Sequence, residues 1–391
     1  MLRQSLASRI LTLFLFALMC LSTAFAAERV VDVAAPDGLT LKATYFPAAV
    51  PGPGVLLLHQ CNRQRKVWDD LARRLSAAGM HVLTFDLRGY GESGGERFET
   101  ASPEVQQRQA GKWPADIDAA LQYLVSQPGV AKDTIGVGGA SCGVNNSVQT
   151  ARRHPEVRSL VLLSGSTDMN GRQFLRTAQV PVFFSVADDD EFRPTVVTMQ
   201  WLYSLTGSPG KRLAHYEKGG HGSDMFPVNP QLPGLITDWY VQTLIKTPGH
   251  APADQDHPKI AEDVQVLNEI DQPGGAARIA KRLEEARRSN GKVQLFPEDL
   301  VNFVGYEHMQ AGDNKGAIEI LLLNARAYPD SANVYDSLAD AYLADGQRDL
   351  ARQNTEKTLK LLDSDKTVDE QRRSAIKASA ERKLKQLGGG R

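Results

Sequence analysis

Charge of one sign is missing from this chain. Its 45 Lys and Arg nearly balance 46 Asp and Glu, for a formal net charge of −1. Nothing electrostatic therefore points to a nucleic acid partner, whose binding rests on neutralised phosphates. Metal-ligand clusters with plausible spacing are missing too, as is any phosphate-cradling glycine loop, so no cofactor is expected. Cysteine is scarce, with three in 391 residues. The longest apolar run, Ile10–Leu21, is too short to span a bilayer comfortably. Arg3 and Arg9 precede it and Ala24-Phe25-Ala26 follows with small-x-small spacing, so residues 1–26 are expected to be a cleaved export signal. An uncleaved anchor is the alternative; a lipoprotein signal at Cys20 is disfavoured because Met19 precedes it. The mature chain should begin near Ala27, be periplasmic or secreted, and carry no stable membrane span. Cleavage leaves Cys61 and Cys142, a pair that in an oxidising compartment is either bridged or two buried thiols.

From 27 to 246, short apolar runs alternate with amphipathic stretches. Arg29–Val33 and Thr40–Phe46 predict a hairpin turned at Pro36-Asp37-Gly38. Strands are then expected at Val55–His59, His81–Leu87, Thr134–Gly138, Leu160–Ser164, Val182–Ala187 and Arg212–Glu217. Helices are expected at Val67–Ala78, Trp113–Val125, Val144–Arg153 and Leu232–Ile245, with Pro194–Leu205 between the last two strands. Such alternation predicts an α/β fold, with a mainly parallel, doubly wound sheet and its reactive groups at the carboxyl ends of the strands. Residues 247–258 (TPGHAPADQDHP) read as a linker. The rest, 259–391, reads as all-α.

One pentapeptide dominates the chemistry. Gly139-Ala140-Ser141-Cys142-Gly143 follows the apolar run Thr134–Gly138 and opens the helical stretch Val144–Arg153. A Gly-x-Ser-x-Gly at a strand-to-helix turn lifts a serine clear of the sheet edge, and the glycines avoid Cβ collisions there. Further stretches carry a family likeness. His59 ends an apolar strand and resembles the His-Gly that begins an oxyanion loop, although Gln60 stands where glycine is common. Asp86-Leu87-Arg88-Gly89-Tyr90-Gly91-Glu92-Ser93 resembles an Asp-x-Arg-Gly-x-Gly-x-Ser turn, and Trp113-x-x-Asp116 opens the helix before the elbow strand.

Together these resemble the α/β-hydrolase superfamily over Glu28–Lys246, in the compact dienelactone-hydrolase-like form. That branch often uses a cysteine nucleophile, whereas Ser141 stands here and Cys142 follows it. The resemblance implies a serine hydrolase with the chain order Ser141…Asp190…His221, His221 lying in Gly219-Gly220-His221-Gly222. The stretch Ala187–Pro194 resembles the family's Gly-x-x-Asp-x-x-x-Pro loop and selects Asp190; Asp189 stays open as the acid, and a solvated acidic turn would claim all of Asp188, Asp189 and Asp190. His59 is expected to brace its loop, Asp86 and Arg88 to tie loops together, and His81, His154, His215 and His250 to be packing or surface residues. An oxyanion needs two backbone N–H donors: Cys142, and Cys61 or Gln60 from the loop after the His59 strand. Loops that bind one oxygen lie close enough for a Cys61–Cys142 disulfide.

Beyond the linker, Glu298–Leu323 and Ala332–Leu359 repeat a pattern at an offset of about 34 residues. Val304-Gly305 pairs with Leu338-Ala339, His308 with Tyr342, Gly312 with Gly346 and Ala317 with Ala351. The pattern resembles tetratricopeptide repeats, with helices at Ala261–Ser289 and Val368–Leu387 as caps. The basic residues of the last helix, including Arg372, Arg373, Lys377, Arg382, Lys383 and Lys385, are expected on a solvated face. The expected activity is hydrolysis of a small-molecule ester or acyl substrate. A prolyl-oligopeptidase-like peptidase is the enzymatic alternative, and a non-enzymatic scaffold that binds protein through the repeats is the other.

Overall fold

The computed structural model describes residues 27–192, 194–252, 258, 260–289, 291, 293–365 and 369–388. The expected leader, Arg193, residues 253–257 of the expected linker and Val368 lie outside the described residues.

Eight strands form one sheet: β1 Arg29–Ala34, β2 Thr40–Phe46, β3 Gly52–Leu58, β4 His81–Phe85, β5 Val130–Ala140, β6 Val157–Leu163, β7 Val182–Ala187 and β8 Lys211–Tyr216. Their order is β1-β2-β4-β3-β5-β6-β7-β8. β1 pairs antiparallel with β2 through the turn at Gly38, whose φ of +82° suits glycine. β2 pairs antiparallel with β4, and every other pairing is parallel. The central strands are buried on both faces, which is why they read as unbroken apolar runs. Along β3, Val55 and Leu57 face Trp68, Leu71, Leu75, Ile236 and Tyr240, whereas Leu56 and Leu58 face Ile117, Leu121, Val144 and Val148. Helix Leu232–Tyr240 sits close to the sheet because β5 offers glycines there. A Cβ on Gly136 would come within 2.7 Å of the Tyr240 ring, and one on Gly138 within 2.9 Å of its hydroxyl.

The switch point of this sheet lies between β3 and β5. The connection leaving β3 runs through helix Asp69–Ala77 on one face, while that leaving β5 runs through Cys142–Arg153 on the other. A crevice therefore opens above the adjacent strand ends, where Leu58 and Gly139 are in register.

Several boundaries differ from expectation. The helix over Leu232–Ile245 is α only to Tyr240 and widens into a π-helical turn at Val241–Lys246. Three short α-helices among the described residues were not anticipated: Pro103–Ala110, capped by the Ser102 hydroxyl, Met169–Thr177, capped by the Asp168 carboxylate, and the single turn Met225–Val228. Helix Met169–Thr177 occupies half of the short stretch between β6 and β7, so no large cap domain is inserted there.

Seven helices follow among the described residues. The expected unit Ala261–Ser289 is two helices, Glu262–Ile270 and Gly275–Ser289, broken where Gly274 turns at φ +70°. Two helix pairs come next, Glu298–Gln310 with Asn314–Ala327 and Ala332–Ala344 with Arg348–Leu362. Gly312 (φ +82°) and Gly346 (φ +78°) end the first helix of each pair in the left-handed region. Gly305 lets its pair cross closely, since a Cβ there would lie 2.6 Å from Leu321 Cγ.

The last helix, Glu370–Gly388, corrects one expectation. Arg372, Lys377, Arg382 and Lys385 are exposed, and Arg373 is half-buried against the Asp365 carbonyl (2.7 Å). Lys383, however, is buried and pairs with Asp336 (2.9 Å) and Asp340 (2.8 Å). It shares a helical stripe with Ile376, Ala380 and Leu387, which turns it inward.

The helical region does not hang free of the sheet region. A single apolar cluster runs from the sheet through Met199 and Leu202 of helix Pro194–Leu205 into Val264, Leu267, Ile270 and Ile279. Beside it, buried Arg172 donates to Asp271 Oδ1 (2.7 Å) and stacks over Trp201, while Arg176 reaches Asp271 Oδ2 (2.9 Å).

Candidate active site

Ser141 directly follows β5 with φ +54° and ψ −119°, a backbone conformation that glycine takes easily and side-chain-bearing residues rarely do. Ser141 N–H donates to Leu163 O (2.9 Å), and its carbonyl accepts from Val144 N (2.9 Å), which starts the helix. Both flanking glycines are required by space. A Cβ on Gly139 would lie 2.1 Å from Gly143 O, and one on Gly143 would lie 2.5 Å from Leu58 O.

The three neighbouring aspartates have three separate partners. Asp188 accepts from His215 Nε2 at the surface (2.7 Å). Asp189 Oδ1 accepts the N–H groups of Gly219 and Gly220 (2.8 Å each), and these bonds hold its carboxyl below the usual range. Asp190, with a wholly buried carboxylate, accepts from His221 Nδ1 (2.8 Å to Oδ2). A carboxylate can only accept, so Nδ1 carries a proton, and this is the imidazole tautomer whose lone pair lies at Nε2. That Nε2 is buried and has no hydrogen-bond partner. The histidine loop lies against the elbow: a Cβ on Gly222 would sit 3.2 Å from Ala140 Cβ. Phe192, half exposed, puts its ring 4.6 Å from the His221 ring.

The loop after β3 lies on the other side of the elbow. Cys61 and Cys142 are joined by a disulfide, with their Cα atoms 5.8 Å apart. This brings the backbone that follows Ser141 beside the β3 loop. His59 is buried, donates from Nδ1 to Gln60 O (2.8 Å) and accepts Leu87 N–H at Nε2 (2.9 Å). Burial lowers its pKa, so it stays neutral and braces two loops.

Behind the site, Asp86 accepts from Arg65 N (2.7 Å) and Glu92 N (2.8 Å) and pairs with the Arg65 guanidinium. Arg88 forks onto Asp116 (2.7 and 2.9 Å) and Asp37 (2.7 and 2.9 Å). Both Asp86 and Arg88 thus tie loops together. Ser93 donates to Asp86 O and accepts from Lys42 N (2.8 Å), which removes it from the chemistry. His81 bonds the Tyr45 hydroxyl (2.7 Å), and His154 lies between Asp118 and Glu156. Sequence reasoning missed Arg65 as the partner of Asp86, Asp116 as the partner of Arg88, and the role of Asp189. The Trp113-x-x-Asp116 motif was the available signal for the second. Among the described residues no group of three His, Cys, Asp or Glu side chains is disposed to hold a metal, and no helix is long and apolar enough to cross a membrane.

A mostly parallel eight-stranded sheet with a serine on a left-handed turn after β5, an Asp after β7 and a His after β8 is an α/β-hydrolase fold. Residues 51–179 match the family described as "Serine aminopeptidase, S33". A thiohydrolase of Aspergillus aculeatus is 26% identical over 175 residues, spanning 42% of this chain and 52% of that protein. An uncharacterized protein of Mycobacterium tuberculosis is 33% identical over 150 residues, spanning 38% of this chain and 49% of that one. The chain thus spans about half the length of these relatives. Among solved structures, a dienelactone hydrolase from Anabaena variabilis is 21% identical, with a TM-score of 0.46 over 56% of this chain and 98% of that one.

Proposed function

We propose that this chain is an exported serine hydrolase that cleaves carboxylic esters through an acyl-enzyme on Ser141. One observation carries the reading: a serine on a left-handed turn, packed against the loop of a histidine whose Nδ1 is held by Asp190 and whose buried Nε2 has no hydrogen-bond partner. His221 Nε2 takes the proton from Ser141 Oγ as that oxygen attacks the acyl carbon. Asp190 keeps the imidazole in the required tautomer. The N–H of Cys142, with that of Cys61 or Gln60, holds the developing oxyanion. His221 then returns the proton to the leaving alkoxide, and water releases the acyl group by the same route in reverse.

Export is supported by the leader-like segment and by a disulfide, which persists in oxidising compartments. The two helix pairs begin at Glu298 and Ala332, and at Asn314 and Arg348, the 34-residue spacing of tetratricopeptide repeats. We assign them to binding a protein partner. A second reading, an aminopeptidase, is favoured by the family description that residues 51–179 match.

The test is turnover of p-nitrophenyl esters of graded acyl length against aminoacyl p-nitroanilides, with fluorophosphonate labelling of the mature chain. Ester turnover and labelling are expected, both abolished in Ser141→Ala. Faster turnover of the anilides would replace the esterase by the peptidase. Absence of labelling would leave the helical region as the working part.

A further inference from the structure

Gln60 is wholly buried, and its side-chain amide is spent on the histidine loop. Gln60 Oε1 accepts from both Ser223 N (2.8 Å) and Ser223 Oγ (2.9 Å), and Nε2 donates to His221 O (3.5 Å). These bonds bridge 163 residues of sequence. Gly222 is shaped around the same amide. Its φ is +61°, and a Cβ there would lie 2.4 Å from Gln60 Oε1. The Gln60 backbone is fixed in turn, because its carbonyl accepts from His59 Nδ1 (2.8 Å) and Arg63 N (3.0 Å). The next residue, Cys61, is bonded to Cys142.

We propose that the Gln60 side chain is a positioning residue: it locks the loop bearing His221 to the loop that supplies the second oxyanion donor. The proposal rests on the reading of Ser141, His221 and Asp190 as a triad. The need for such a lock is visible in the loop itself, where Gly219, Gly220 and Gly222 leave the backbone around His221 intrinsically free. Asp189 ties down the leading side through Gly219 and Gly220. Asp190 fixes the ring but not the peptide that carries it. Gln60 ties the trailing side, so His221 is held from both ends. Glycine at position 60, common in the resembling family, could not do this. The dipeptide Gln60-Cys61 therefore joins three loops, reaching the histidine through an amide and the nucleophile helix through sulfur.

Misplacing a catalytic group by about 1 Å can cost on the order of a hundredfold in rate. Gln60→Met keeps the volume and removes the three hydrogen bonds. Its kcat should fall roughly 10- to 100-fold with KM within about twofold. Ser223→Ala should lower kcat less, and adding it to Gln60→Met should cost nothing further, because both act through one contact. Hydrogen exchange supplies a readout independent of turnover. In Gln60→Met, amides 219–224 should exchange at least about tenfold faster while the Cys142–Arg153 helix stays protected. Unchanged exchange in 219–224, kcat within about threefold of wild type, or losses that only track the unfolded fraction would each overturn the proposal. Failure of the triad reading is recognised separately: Ser141→Ala would then stay active, or the wild type would neither label nor turn over, while the exchange result still decides whether Gln60 holds the loop.

Discussion

Replacing Ser141 by glycine should make the protein more stable than replacing it by alanine. The serine stands at φ +54°, ψ −119°, where a Cβ is poorly tolerated. Holding a non-glycine residue in such a conformation costs on the order of 1–3 kcal/mol. Ser141→Ala keeps the Cβ and therefore the strain. Ser141→Gly removes it but enlarges the freedom of the unfolded chain, an opposing loss of about 0.4–1 kcal/mol. The backbone bonds from Ser141 N to Leu163 O and from Val144 N to Ser141 O survive in both, and the side chain is only half-buried, so packing changes little. The net advantage of glycine is about 0.5–2 kcal/mol, or roughly 1–8 °C in melting temperature for a domain of this size. Calorimetry on the wild type and both variants at one pH reads it directly, and both variants should be catalytically dead. A glycine variant that melts at or below the alanine variant would show that the turn is not strained.

The aspartate row gives a second test: Asp190→Asn should lower kcat by about 10⁴ through the wrong His221 tautomer, with Asp189→Asn intermediate and Asp188→Asn close to wild type. A large loss at Asp188 would contradict its pairing with surface His215. The contact between sheet and helical regions gives a third. Asp271→Asn leaves buried Arg172 with Glu307 (3.4 Å) as its remaining carboxylate and should destabilise by about 3 kcal/mol, roughly 6–12 °C in melting temperature. The same contact predicts a pH dependence. Burial opposes protonation of His308, but Asp271 (3.3 Å) and Asp313 (2.8 Å) outweigh it and raise its pKa above the ordinary value, with Arg172 opposing them and Glu307 alongside. That contribution is fully present below the unfolded value near 6.5 and is lost as pH rises through the higher folded value. Asp271, held at about 2, adds stability that is lost only as pH falls toward that value. Thermal melts should therefore show the interface weakening on the alkaline side, and His308→Gln should flatten that slope; an unchanged slope would refute the assignment.

The strands were legible because buried parallel strands must be apolar on both faces, as Val55–Leu58 and Val182–Ala187 are. The elbow was legible because Gly139 and Gly143 admit no substitute for steric reasons that do not depend on the rest of the fold. The division of labour among Asp188, Asp189 and Asp190 was harder to read. Neighbouring side chains in a turn point in unrelated directions, and one residue of slippage exchanges their partners. The side chain of Gln60 left no trace in sequence, since its partner Ser223 is remote and Gln is usually exposed. Lys383 was misread because charge was counted along the helix rather than around it; its spacing from Ile376, Ala380 and Leu387 is that of a buried stripe.

Composition also marked 247–258 as a linker, and a linker suggests two independent bodies. What joins the regions is invisible to composition, because it is made of residues that look ordinary in their own helices. Arg172 sits on an amphipathic helix and Asp271 on a helix end, yet they meet with both side chains nearly inaccessible. Helix Met169–Thr177, which carries Arg172 and Arg176, is tied in the other direction to helix Cys142–Arg153. Asn145 Oδ1 accepts from Thr167 Oγ1 (2.8 Å) and Gln149 Nε2 donates to Asp168 (2.9 Å). The helical region thus grips the one segment inserted between β6 and β7, which is itself pinned to the helix behind Ser141. A cut at residue 247 would do more than remove an appendage. It would strip the cover from Met199 and Trp201 and leave the buried guanidinium of Arg172 without its carboxylate. Loss of activity in such a truncation would consequently say little about whether the helices touch substrate. Asp271→Asn, which leaves every helix in the chain, separates docking from contact.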